Sequence, residues 1–395
     1  MLTQIQLDQF KCFEILKLPL APLTLLSGAN ATGKSSVLQA LLLLHQTVRH
    51  SQSSSSITLN GNVIQLGTVG DVVNQTSGRR TIAIELQSSK FQCKWEMETE
   101  DRQMLSFPVR RISWRTGPEW LTKDSVVHPG MILDSLLPSE ISKLSQAQTI
   151  MNSLMRLSYV SADRSAPREV YPVAIDSPYP NVGVKGEYTP WYLVTFDQKE
   201  VLPKMQHPDE SSPYLRRQVD AWMHHFFPGA GLSVAQIPDT NLVKLLLRTN
   251  TGTDFLRPQN VGYGLTHILP IITACLGANR GDLIIVENPE SHLHPAAQSA
   301  MGQFLAKAAS AGIQIILETH SDHVLNGLRK AIKYEAIAPD DVLIHFFAQR
   351  SNNGDSSLPQ VTSPQIDRNG NFDYWPDNFF DQFDKDLNSL VDWGV

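Results

Sequence analysis

The sequence predicts an α/β fold: a mixed sheet with helices, interrupted by an α+β insert, with no long coiled coil. Three stretches carry this reading. Residues 28–36, Gly-Ala-Asn-Ala-Thr-Gly-Lys-Ser-Ser, lie between an apolar run at 23–26 and a run of strong helix formers at 37–44 that lacks Gly and Pro. Residues 282–290, Asp-Leu-Ile-Ile-Val-Glu-Asn-Pro-Glu, place four apolar residues ahead of an acid. Residues 313–320, Ile-Gln-Ile-Ile-Leu-Glu-Thr-His, repeat the pattern and end in a polar cluster. Continuous apolar runs of this kind suit parallel strands buried on both faces.

The first stretch matches G-x-x-x-x-G-K-S, the phosphate-binding loop. Gly28 and Gly33 let the backbone wrap so that its N–H groups point inward at phosphate oxygens, and Asn30, Ala31, Thr32 and Ser36 complete the cradle. The following helix adds about half a positive charge at its N-terminus. Lys34 is expected to reach the outer phosphates of ATP, and the Ser35 hydroxyl to ligate Mg2+.

A length of 395 residues suggests two or three lobes, and 42% hydrophobic with 18% charged residues allows a substantial core. The net charge of −6 argues against a chain that lives on nucleic acid, although a local basic patch can hide in an acidic average. Cys12, Cys93 and Cys275 are far apart, which speaks against a zinc site or a disulfide scaffold and fits a reducing cytoplasm. The N-terminus has no basic and apolar signal pattern, and no apolar run approaches ~18 residues, so the expectation is a cytoplasmic protein without a membrane span.

Residues 2–7 and 15–20 read as a hairpin feeding the strand at 23–26. Phe10 and Phe13 pack either in the core or near a bound base. The Ser-rich run 51–56 reads as a surface loop, and residues 57–67 as a hairpin turning at Asn60-Gly61. Gln65 or Gln75 serves either as a sensor near the metal or as a plain surface glutamine. Residues 81–86 and 90–97 form an antiparallel pair, 112–114 a strand, 139–157 a helix, and Tyr159 lies in a short strand. Residues 172–190 are Pro- and Gly-rich loop, 212–227 a helix stopped by Pro228-Gly229, and 232–237 and 242–248 strands. The expected division is 1–84 and 256–335 as the two parts of one nucleotide-binding lobe, 85–255 as the insert, and 336–395 as C-terminal strands and a short tail domain.

Ligands of open α/β sheets bind at the C-terminal ends of the strands. Glu287 is therefore placed to hold Mg2+, directly or through water, and Glu290 to polarise the attacking water. His320, at the end of the next strand, faces the same edge and suits a hydrogen bond to the γ-phosphate or the attacking water. A Gly262-x-Gly264 turn runs into an apolar helix, with Thr266 as its N-cap and Pro270 in its first turn, giving a second helix N-terminus suited to an anion. His292 and His294 stand two apart but have no Cys or carboxylate partner at ligand spacing. Residues 322–333 begin a helix at Asp322, and Asp340-Asp341 read as turn residues before a strand at 342–347.

The order of these pieces resembles the ABC-type ATPase heads of the SMC, RecF and OLD families. The matching residues are 28–36 for the Walker A loop, 261–268 for the signature helix, 283–290 for Walker B, 291–295 for the D-loop and His320 for the switch histidine. Glu-Asn-Pro-Glu-Ser-His-Leu-His-Pro looks closest to OLD-like and bacterial anti-phage defence ATPases such as PtuA of the Septu system. The tail 367–381 resembles a short C-terminal domain of unknown function found in small bacterial ATPases. The resemblance covers about residues 1–75 and 255–395, with scattered points at 159–164 and 183–187. Two departures stand out. Glu287 replaces the usual Asp and Asn288 the usual catalytic Glu, which shifts the catalytic role to Glu290 or slows hydrolysis. The signature also lacks the usual Ser-Gly-Gly.

The resemblance implies a head that binds ATP and Mg2+, hydrolyses ATP, and forms a homodimer in which Walker A of one protomer and residues 262–266 of the other enclose the same nucleotide. It further implies bacterial defence with a separately encoded effector such as a nuclease, since no nuclease domain is expected in the residues after His320. The rivals are a RecF- or SMC-like repair ATPase that binds DNA itself, and a nucleotide-stabilised scaffold without turnover.

Overall fold

The computed structural model describes residues 1–50, 53–76, 78–116, 121–128, 130–174, 178–348, 361–377 and 379–391. In chain order, β1 (Leu2–Phe10), β2 (Phe13–Pro19) and β3 (Leu23–Gly28) precede α1 (Lys34–His50). Then come β4 (Ser56–Thr58), α2 (Val69–Val72), β5 (Thr81–Ser88), β6 (Phe91–Glu98), β7 (Ser106–Thr116), β8 (Leu121–Val126), α3 (Ser139–Ser142) and α4 (Ser145–Met155). The remainder holds β9 (Ser158–Val160), β10 (Val170–Pro172), α5 (Thr189–Thr195), α6 (Leu215–Phe226), β11 (Gly231–Gln236), β12 (Leu242–Arg248) and α7 (Tyr263–Gly277). It ends with β13 (Leu283–Glu287), α8 (Pro295–Ser310), β14 (Gln314–Glu318), α9 (Asp322–Lys333), β15 (Val342–Phe347), β16 (Val361–Thr362) and α10 (Gln382–Val391).

The chain divides into two units: residues 1–21 with 29–157, and residues 22–28 with 158–395. This differs from the four-part division expected from the sequence. The expected boundary at 84/85 falls inside β5, which is bonded along both edges, to β1 and to β6, and so cannot be divided.

The first unit is built on an antiparallel sheet ordered β2-β1-β5-β6-β7-β4, with β8 also paired to β7. Its strands alternate. In β6, Phe91, Cys93, Trp95 and Met97 are buried while Gln92, Lys94 and Glu96 are only partly so, the period-two pattern of a sheet with one covered face. Trp95 also donates its indole N–H to the Leu136 carbonyl at 2.9 Å, which satisfies its single polar atom in the core. Residues 57–67 fold back with the turn at 61–64 rather than at Asn60-Gly61: Asn60 bridges Gln65 and the Leu66 N–H donates to the Leu59 carbonyl, while β4 pairs with β7. The helix expected over 139–157 is broken into α3 and α4, because Leu144 is extended and the Gln148 side chain takes the Ser142 carbonyl. Of the Ser-rich run 51–56, the first two residues lie outside the described ones.

The second unit is built on a sheet ordered β16-β15-β3-β14-β13-β9, in which every pair is parallel except β15 with β16. β3 and β14 are buried along their whole length and β13 to Val286, which explains their unbroken apolar sequences. β9, which the sequence placed in the insert, is the strand beside β13. α8 and α9 link successive parallel strands and pack on each other closely: a Cβ on Gly302 would meet the Val324 carbonyl at 2.3 Å. A smaller antiparallel sheet, β10-β12-β11, completes the unit. The tail fastens to α9 through Arg329, whose Nε donates to the Gly370 carbonyl at 2.7 Å while the guanidinium lies over Phe372 and Trp375.

α1 contributes a buried polar group to the first unit. His45 is 2% exposed, and its Nδ1 lies 2.6 Å from the Leu154 carbonyl, an arrangement that makes Nδ1 the donor of a neutral ring. Burial pushes the imidazole down from 6.5 to about 4, against the opposing pull of that carbonyl. Between pH 6.5 and 4 the unfolded chain therefore takes up a proton that the folded one refuses. Stability should fall across this window as pH drops, by up to roughly 3 kcal/mol. Urea unfolding at pH 7 and pH 4.5 tests this: the drop should be clearly smaller in His45→Gln, and an equal drop in both proteins would rule His45 out as its cause.

Candidate functional site

The parallel register of the second unit decides where its polar residues go. Glu287 of β13 is level with Glu318 of β14, which is level with Leu26 of β3, so three strands finish at one edge. The sequence supplies that edge with Glu287, Asn288 and Glu290 after β13, with Thr319 and His320 after β14, and with Gly28 at the end of β3. Gly28 has φ +135°, and a Cβ there would lie 2.2 Å from the Phe347 carbonyl of neighbouring β15. Only glycine lets the chain leave the sheet at that point.

Glu290 and His320 are brought together. The Glu290 carboxylate accepts hydrogen bonds from the Thr319 hydroxyl (2.7 Å), the His320 backbone N–H (3.1 Å) and the Asn288 amide (3.3 Å). Three donors from two strand ends thus hold one carboxylate in a defined place. His320 itself is exposed. Asn288 takes φ +42°, a left-handed conformation that asparagine tolerates better than most residues, and donates its N–H to the Glu318 carbonyl at 2.9 Å. That sharp bend turns the chain from β13 towards Glu290.

In the first unit the loop residues form a compact wrap of their own. Ala31 has φ +61° and Gly33 φ +106°; a Cβ on Gly33 would come within 2.4 Å of the Phe13 ring. Phe13, left open between core and base contact, is fully buried, as is Phe10. The Thr32 hydroxyl and the Lys34 ammonium both donate to the Ala29 carbonyl, at 2.8 and 2.7 Å, so the lysine is folded over its own loop. Asn30, Ala31 and Ser35 are exposed, while Ser36 is buried in the first turn of α1.

Gly262, Gly264 and Thr266 lie on α7, but its start differs from the expected one. Gly262 is the N-cap and the helix begins at Tyr263. Thr266 is therefore not a cap: it is buried inside the first turns, and its hydroxyl donates back to the Tyr263 carbonyl at 2.9 Å. Pro270 likewise sits in the helix interior rather than the first turn. Gly264 is required by a close approach, since a Cβ would meet the His292 carbonyl at 2.9 Å. The start of α7 thus rests on the turn after Glu290, and Tyr263, His267 and His292 stack there with ring centroids 4.6–5.6 Å apart. His267 is buried with neither ring nitrogen bonded among the described residues, and burial, with Arg164 and His292 adding to it, pushes it down to about 4. His294 caps α8 by accepting the Ala296 N–H, with Pro295 as the first helical residue.

Two residues at this edge escaped the sequence reading of the site. Tyr159, on β9, lies beside the Glu287 side chain, and burial followed by the Glu287 charge pushes its phenol up. Arg164 is 6% exposed and donates to the carbonyls of Glu287 and Asn288. Burial lowers it to about 10, against the pull of Glu290, Glu287 and Tyr159. The sequence offered an arginine close behind an apolar strand, within the stretch 159–164 that the family resemblance touches, and no role for it.

A strand leading into a phosphate loop, within one parallel sheet whose next strands end in carboxylates and a histidine, defines an ATPase-type α/β head. No long coiled-coil helix is present among the described residues, the longest helix being α1 with 17 residues. Two family models agree. Residues 1–104 match the family described as "AAA ATPase domain", and residues 179–326 the family "AAA domain, putative AbiEii toxin, Type IV TA system". Residues 337–390 match "Protein of unknown function (DUF3696)". Solved structures similar to this chain include an SMC head bound to the C-terminal winged-helix domain of ScpA, at 12% identity over 93% of this chain and 98% of that one, with a TM-score of 0.49. The SMC head domain from Thermotoga maritima is 11% identical over 93% and 99%, with a TM-score of 0.45. The SMC head with extended coiled coil bound to the C-terminal domain of ScpA, from Pyrococcus furiosus, is 12% identical over 99% of both chains, with a TM-score of 0.49. No protein of curated function matches. No helix among the described residues is long and apolar enough to cross a membrane.

Thr319→Val removes one of the donors that hold Glu290. It should cost about 1–2 kcal/mol, as expected for a hydrogen bond to a carboxylate that is half-buried, and lower the urea midpoint. An unchanged midpoint would show that the carboxylate does not depend on Thr319.

Proposed function

We propose that this chain is an ABC-type head that binds Mg2+–ATP, dimerises around it, hydrolyses it, and thereby controls a separately encoded effector in bacterial defence against phage. The observation that carries this reading is the strand edge at which β3 passes into the phosphate loop while its neighbour β14 presents Glu318 and His320, and the next strand, β13, Glu287 and Glu290. The family descriptions support the ATPase part. The toxin–antitoxin wording of one of them fits a head that works with a second gene product.

In this reading Lys34 and the loop N–H groups neutralise the phosphates, and Ser35 with Glu287 holds Mg2+. One hydroxyl and one carboxylate is a hard-oxygen donor set, which suits a Mg2+ completed by phosphate oxygens and water. Among the described residues no group of three His, Cys, Asp or Glu gathers into a cage for a metal. Glu290, fixed by Thr319 and His320 N–H, takes the proton of the attacking water as its oxygen bonds to the γ-phosphorus and ADP leaves. Gly262, Gly264 and Thr266 would meet the nucleotide of the partner protomer in the closed dimer.

Phosphate release from the purified chain tests the assignment. Lys34→Ala and Glu287→Gln should abolish turnover, and Glu290→Gln should lower kcat by a factor of about 100 or more with ATP still bound. Parent rates in Lys34→Ala and Glu287→Gln would sink it. Light scattering should show the mass doubling with a non-hydrolysable ATP analogue and not without. Direct DNA binding is the rival role, disfavoured by the net charge of −6; a mobility shift of DNA that fades steeply with salt would favour it instead.

A further inference from the structure

Two short segments, 159–165 and 183–187, lie about twenty residues apart in the chain and have no part in the chemistry proposed above. In the structure they pair. Ser161 N–H donates to the Val184 carbonyl and Ser165 N–H to the Lys185 carbonyl, both at 2.9 Å, and Lys185 forms an ion pair with Asp163. The second segment is itself a tight turn. Gly183 has φ +85°, and the Glu187 carboxylate accepts the Lys185 N–H at 2.8 Å.

The first segment, so braced, grips the end of β13 from three directions. The Tyr159 phenol lies beside the Glu287 side chain, the Ala162 N–H donates to Glu287 Oε2 at 3.1 Å, and Arg164 Nη2 donates to the carbonyls of both Glu287 and Asn288. Arg164 bridges the peptide that bends at Asn288, so it defines where the backbone turns, while Tyr159 and Ala162 orient the carboxylate. Core stability does not account for this arginine. It is buried, yet Nε and Nη1 have no hydrogen-bond partner among the described residues, and a buried cation with unmet donors is costly. An apolar residue would fill the space at less cost.

We propose that the 159–165 segment, braced by 183–187, is a clamp that orients Glu287, with Arg164 as its positioning residue. This rests on the reading of Glu287 as a Mg2+ ligand. Partners of this kind, one bond removed from the metal, typically change metal affinity 10- to 100-fold when lost. Lysine in place of Arg164 keeps the charge but carries it as a compact ammonium on a flexible stem, without the planar guanidinium that places Nη2 between the two carbonyls.

The experiment uses the full chain, a β,γ-imido analogue of ATP, and Mn2+ titrated by electron paramagnetic resonance, so no turnover is needed. Glu287→Gln should weaken Mn2+ binding strongly. Arg164→Lys and Arg164→Met should each weaken it by about tenfold, with analogue affinity in EDTA staying within about twofold of the parent. Tyr159→Phe, which deletes only the hydroxyl beside Glu287, should weaken Mn2+ binding in the same direction and serves if the Arg164 variants do not fold. A merely structural role would lower the melting temperature and leave Mn2+ affinity alone. Parent-like Mn2+ affinity in Glu287→Gln overturns the metal role of Glu287 itself. Loss in Glu287→Gln with parent-like affinity in folded Arg164 variants, or in Tyr159→Phe where those do not fold, overturns the clamp alone.

Discussion

Everything at the polar edge of the second unit depends on one constraint: β3, β14 and β13 run parallel and in register. Parallel strands buried on both faces hold few polar side chains along their length, Thr24 of β3 being one, so the chain's acids and the exposed histidine collect where the strands end. The pairing of Glu287 with Glu318, and of Glu318 with Leu26, gathers at one edge residues that lie up to about 290 positions apart. The hydrogen bonds around Glu290 follow from it. Thr319 and His320 can reach that carboxylate because β14 finishes level with β13.

The parts of this arrangement that were legible in the sequence share a physical property: each is encoded locally. The apolar runs of β13 and β14, the glycines of the phosphate loop and the helix opening at Asp322 after its Ser321 cap are complete within a few residues. What escaped depends on partners distant in the chain. The start of α7 was placed too late because Gly262 and Gly264 read as a turn, whereas Gly264 is a helical residue that only the nearby His292 carbonyl explains. Arg164 looked like an ordinary polar residue after a short strand, and nothing local distinguishes a surface arginine from one buried against Glu287. The break between α3 and α4 turns on a glutamine side chain reaching back six residues to a carbonyl, which apolar spacing does not record.

The two kinds of polar group in the second unit differ in how they are satisfied. Glu290 has a donor for each oxygen and more, which makes its position specific. Arg164 and His267 are buried with bonding atoms left over. Native interiors seldom tolerate this without a functional return, and both residues stand within electrostatic reach of each other beside the same turn.

The route of the chain through β3 has a consequence for how the protein is assembled. Seven residues, 22–28, belong to the second unit although the chain on either side of them belongs to the first. β3 is also an interior strand of its sheet, bonded to β14 and β15. A fragment beginning at 158 would lack that strand and expose two unpaired interior edges, a template for aggregation. The sheet closes only when the N-terminal strand meets partners nearly 300 residues later. Such long-range pairing makes folding slow and leaves a nascent chain waiting for its last third.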